Sequence, residues 1–97
     1  MRKINLSKIE YQEEKDKNVL AQTEKFKLRN IDLEAGEQIP ECNMENWVIF
    51  YIREGEGEIF INGELTNVAK EDLVFTEPAK VSIKAKTRMK ILGTIVK

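Results

Sequence analysis

Residues 48–65 read VIFYIREGEGEIFINGEL, and this stretch decides the fold. An apolar run over residues 48–52 meets a glycine-rich segment, Glu54-Gly55-Glu56-Gly57, and a second apolar run, 59–61, ends on Asn62-Gly63. β-Branched and aromatic side chains fill the first run on both faces. That suits a strand buried on both sides, or one lining a closed barrel whose outside is covered. Glycine reaches positive φ without a Cβ clash, so 54–57 reads as the turn of a hairpin. Asn-Gly favours a type I′ turn, which predicts a second hairpin immediately after it.

Ninety-seven residues make one domain with a single core. With 41% apolar and 34% charged residues, the composition is that of a soluble globular protein. No apolar run approaches the ~20 residues of a membrane span, and Met1-Arg2-Lys3 leads into polar sequence rather than a cleavable signal. One cysteine, Cys42, permits no internal disulfide, so a reducing cytoplasm is the expected setting. The net charge of −1 predicts no attraction to nucleic acid or membrane. Acids crowd the middle of the chain and lysines its end, as expected of neighbouring solvent faces. There is no histidine. That removes the usual general base, the commonest metal ligand and every Ser-His-Asp or Cys-His scheme.

Outward from the central stretch, strands are expected over residues 1–6, 19–23, 26–33, 73–75, 80–86 and 89–96. Residues 7–17 read as a loop, with a helical turn starting at Ser7. Within 26–33, Phe26 and Leu28 have one parity, Ile31 and Leu33 the other. A bulge near Arg29-Asn30 would bring all four to one face. Residues 38–40 form a short extended piece whose Pro40 suits an edge, and 41–46 read as irregular. The run 73–75 reads as buried. Val81, Ile83 and Ala85 alternate with lysines and serine, the mark of a half-buried strand. About nine to eleven short strands with no convincing helix predict an all-β sandwich or barrel.

Gly36-x5-Cys42-x-Met44-x3-Val48-x6-Gly55 resembles the first cupin motif, G-x5-H-x-H-x3-E-x6-G. Residues 71–79, EDLVFTEPA, resemble the opening of the second, GD-x4-PPG. The resemblance spans roughly residues 28–95. It implies a small single-domain cupin of the RmlC-like type, a β-barrel of double-stranded β-helix or jelly-roll form. The core would cover roughly 26–97, and residues 1–25 would form an N-terminal strand and loop. It also implies a homodimer, with residues 1–6 able to add to a partner's sheet.

In that family two histidines, a glutamate and a later histidine hold one metal. The first three positions fall here on Cys42, Met44 and Val48, and the fourth on Val81, Ser82 or Ile83. No strong ligand stands at any of them, so no metal, no cofactor and no catalytic residue is expected. Cys42 and Met44 share a strand face, and a thiolate-thioether pair could favour Cu(I). The plainer reading is adaptable core filling. Trp47 and Tyr51 could line a pocket mouth. Glu41, Glu45 and Tyr51 are the only acid-base candidates for an isomerase or lyase.

The expected function is therefore a metal-free cupin-like domain. It would bind a small, largely apolar molecule among Cys42, Met44, Val48, Trp47, Tyr51, Val81 and Ile83, or serve as a dimeric structural module.

Overall fold

The structure is a computed structural model describing residues 1–13 and 18–97. Among the described residues a 3-10 turn, Leu6–Lys8, precedes nine strands. These are β1 Val19–Gln22, β2 Phe26–Leu33, β3 Gln38–Met44, β4 Trp47–Glu54, β5 Glu56–Ile61, β6 Glu64–Ala69, β7 Leu73–Thr76, β8 Ala79–Ala85 and β9 Met89–Val96. They form two antiparallel sheets, one of five strands in the order β1-β2-β9-β4-β7 and one of four in the order β3-β8-β5-β6. The fold is an all-β barrel of jelly-roll form.

Period-two alternation places the core between the sheets. Val48, Phe50 and Ile52 of β4 point inward, as do Met89 and Ile91 of the neighbouring β9 and Ile59, Val81, Ile83 and Ala85 from the facing sheet. The alternation expected for β8 is present, with Val81, Ile83 and Ala85 all buried.

The central stretch differs from its reading in one respect. β4 and β5 are not hairpin partners. β4 pairs with β7 and β9, whereas β5 pairs with β6 and β8. Residues 54–57 therefore turn a corner from one sheet to the other. Arg53 is the extra residue in the β4–β9 register, and this bulge bends the strand into the corner. Gly55 follows at φ +84, packed so tightly that a Cβ would overlap the Arg88 carbonyl. A glycine turn and a glycine corner look alike in sequence. The type I′ turn is as expected, with Asn62 at φ +50 and Gly63 at φ +81 joining β5 to β6.

Four further expectations are corrected. Residues 1–5 form no strand, and Asn5 instead caps the following turn, its Oδ1 accepting from the Ser7 N–H at 3.0 Å. The β2–β9 register runs unbroken from Phe26 to Leu33, so no bulge lies at Arg29-Asn30. The irregularity is on the partner strand, where Leu20 of β1 is the extra residue. Consequently Arg29, Ile31 and Leu33 share the inner face, and Phe26 and Leu28 the outer. Residues 41–44 are strand rather than irregular, because β3 bulges at Pro40-Glu41 and resumes pairing with β8. Finally, β7 is not buried: Leu73 and Phe75 are 57% and 62% exposed, since β7 is an edge strand with one face outward. Of the loop expected over 7–17, residues 14–17 lie outside the described residues.

Candidate functional site

A cavity of about 460 Å³ opens between the sheets, where β2 faces β3 and β8. Its apolar floor is Ile31, Leu33, Phe50, Val81 and Ile83. The β3 wall depends on the bulge. Ile39 pairs with Ile83 and Cys42 with Val81, so the extra residue at Pro40-Glu41 turns Ile39, Cys42 and Met44 all toward the cavity. Without it, Ile39 and Cys42 would face opposite ways.

In β9, Gly93 lies between Arg29 of β2 and Phe50 of β4. A Cβ there would come within 3.2 Å of the Ile31 side chain and 3.8 Å of the Phe50 ring. Glycine in this central strand lets the Ile31 side chain and the Phe50 ring, both part of the cavity floor, pack close against its backbone.

Polar groups also border this chamber. Arg29, Asn30, Glu37, Gln38 and Glu41 border it, and Tyr11 and Asn18 border it from the segment before β1. Asn18 is buried and ties that segment down: its Oδ1 accepts from the Gln12 N–H at 2.8 Å, and its Nδ2 donates to the Gln12 carbonyl at 2.6 Å. Glu37 Oε1 accepts from the Glu34 N–H at 3.0 Å, closing the turn that carries Gly36 at φ +84. Arg29 is different. Its Nε is buried and has no hydrogen-bond partner among the described residues.

The residues singled out in the sequence divide into two sets. Cys42, Met44, Val81 and Ile83 line the cavity, and Val48 is fully buried in the core on the same side of β4 as Phe50. Trp47 and Tyr51 do not join them. They alternate with Val48, Phe50 and Ile52, and so lie on the outer face of β4. Ser82 alternates with Val81 and Ile83 and lies outside the cavity lining. The acid-base candidates do not converge, since Glu41 borders the cavity and Tyr51 faces the opposite side of the five-stranded sheet. Sequence reasoning misses Arg29, Ile39 and Phe50. The parity of Arg29 with Ile31 and Leu33 is the available signal, obscured by the expected bulge.

No family model matches the sequence, and no curated protein is similar to it. Solved structures do match. An RmlC-like cupin protein from Desulfovibrio desulfuricans superposes with a TM-score of 0.84 at 23% identity, covering 99% of this chain and 96% of that one. The chain has the cupin fold. A cupin superfamily protein from Desulfitobacterium hafniense matches with a TM-score of 0.75 at 23% identity, over 80% of this chain and 72% of that one. Salicylate 1,2-dioxygenase from Pseudoaminobacter salicylatoxidans matches with a TM-score of 0.71 at 23% identity, over 74% of this chain but 20% of its own length. At these identities the likeness is one of fold.

The metal that a cupin motif implies does not fit the residues of this chain. The matching positions supply an exposed thiol at Cys42, a half-buried thioether at Met44, and hydrocarbon at Val48, Val81 and Ile83. Among the described residues no three of His, Cys, Asp or Glu gather closely enough to hold an ion. Cys42 and Met44 could offer two soft donors from one strand face, and no third completes the set among the described residues.

Proposed function

We propose that this cupin is a metal-free binding domain whose barrel receives a small, largely apolar molecule. The cavity of about 460 Å³ carries the reading: its size falls within the usual range of ligand sites, and its floor is hydrocarbon with a smaller number of polar groups bordering it. Hydrocarbon at the family's ligand positions turns a metal centre into a surface for apolar contact.

Titration with cyclohexylmethanol, followed through side-chain methyl resonances, tests the reading. The methyls of Ile31, Ile39, Val81 and Ile83 shift together and saturate. Shifts that are absent, or confined to the outer face, would refute it. Elemental analysis after dialysis tests the metal-free part. One transition metal per chain would sink it, and loss of that metal in Cys42→Ser would assign it to the soft pair.

The domain also pairs as a homodimer in this proposal, through the outer face of the five-stranded sheet. The register aligns Phe26, Val96 and Trp47 in one row, Leu28, Thr94, Ile49 and Phe75 in a second, and Leu92, Tyr51 and Leu73 in a third. Phe75, Leu73 and Trp47 are at least half exposed. These rows hold no charged side chain, so a second copy meets the face without repulsion, in the self-complementary manner of a two-fold interface. Such an interface would supply the outer cover that β4 lacks in the single chain.

A further inference from the structure

We infer that the barrel's ligand carries one carboxylate, and that Arg29 is its anchor; this rests on the barrel-binding reading above. The guanidinium is a permanent cation with five donors and no acceptor capacity. Here its Nε is out of contact with water and donates to nothing among the described residues. Burying a charged donor without an acceptor is costly, so such a group is normally matched by a carboxylate, a carbonyl or an ordered water. Neither carboxylate bordering the cavity takes that role. Glu37 is engaged with its own turn, and Glu41 does not accept from the Arg29 Nε.

The placement of Arg29 is fixed by backbone rather than by a flexible loop. Arg29 sits in mid-strand, paired with Val19 on one side and Gly93 on the other. Gly93 stands between Arg29 and Phe50 in the register and sets no side chain between them. A ligand lying in the cavity would meet hydrocarbon from Ile31, Phe50 and Ile83 and reach the guanidinium where Arg29 borders it. One cationic contact among apolar ones selects a molecule with a single charged end.

The charge of that end follows from the charges around it. Among the described residues Arg29 is the one cationic side chain lining the cavity, against Glu37 and Glu41. A carboxylate carries one negative charge and matches the planar guanidinium fork with two parallel hydrogen bonds. A phosphate monoester would bring nearly two charges and leave the excess facing both glutamates. The class is therefore an apolar monocarboxylate.

Calorimetry on the full chain with cyclohexanecarboxylate and cyclohexylmethanol, which share a ring and differ in charge, tests the anchor. The carboxylate is expected to bind about tenfold more tightly than the alcohol, the gain typical of a hydrogen bond to a charged group. In Arg29→Met the two affinities converge. In Arg29→Lys, which keeps the charge without the fork, part of the preference returns. Equal binding of both probes to the parent protein overturns the anchor and leaves the barrel-binding reading standing. Failure of both probes to bind overturns the two together. Should Arg29→Met not fold, the difference between the two probes on the parent protein still separates these outcomes.

Discussion

Val48 shows most directly what a single side chain commits this barrel to. It is 0% exposed, at the position where the cupin motif carries a glutamate, and it is surrounded by hydrocarbon. Val48→Asp is expected to destabilise the fold by roughly 3–5 kcal/mol, because the carboxylate gains neither water nor a cation there. Val48→Leu is expected to cost only about 1–3 kcal/mol from overpacking. Urea melts of the two variants make the comparison, and a parent-like melt for Val48→Asp would place the residue at the surface. The inward positions of Val48, Val81 and Ile83 are legible in the sequence because parity survives any error in the ends of a strand. Arg29 is not. One assumed bulge reverses the face of everything before it, and in sequence a charged residue among apolar neighbours is most simply read as solvated.

Among the elements, the corner between β4 and β5 and the turn between β5 and β6 use glycine under different constraints. Gly55 and Gly63 have nearly the same φ, +84 and +81. A Cβ on Gly55 would collide with the Arg88 backbone, whereas nothing lies within 4 Å of one on Gly63. Gly63→Ala should therefore cost about 1–2 kcal/mol, the penalty of the left-handed conformation alone. Gly55→Ala should cost distinctly more, because the β8–β9 connection must also move. That connection is held by Arg88, which donates from Nε to Asp32 Oδ1 at 3.1 Å and from Nη2 to Asp32 Oδ2 at 2.9 Å. Thermal melts of the two alanine variants check the order, and equal losses would show that the corner is not close-packed. Strand positions are readable in this region, but pairing is not. A glycine turn fixes where the chain reverses, and only the burial of β5 against β8 fixes which sheet it then enters. β3 reads too short because Pro40 usually ends a strand. On an edge it sits in a bulge instead, where the missing N–H does no harm.

For the whole molecule the open question is the outer face of the five-stranded sheet. Light scattering at micromolar concentration is expected to give twice the mass of one chain. Phe75→Lys or Leu73→Lys should reduce it to the mass of a single chain, since each sets a charge in the middle of an apolar contact. Deletion of residues 1–5 should leave the dimer in place. If the deletion dissociates it and the lysine variants do not, pairing runs through the N-terminal segment. The all-β barrel is legible in the sequence from its short strands and frequent turn signals. The exposed face is not, because apolar residues that await a partner look like core until the sheets are assembled.

The two-sided strand β4 has a consequence for how the polypeptide reaches its folded state. Residues 48–52 are five consecutive β-prone apolar residues with no charge and no proline, the composition of an aggregating segment. In the native sheet they are shielded by β7 and β9 on either side. β9 follows every other strand in the chain, so on the ribosome β4 emerges long before its larger neighbour exists. Its guards in that interval are Glu45 on one flank and Arg53 and Glu54 on the other. Refolding yield should consequently fall as protein concentration rises, and neutralising those flanking charges should steepen the fall without altering the melting of protein already folded.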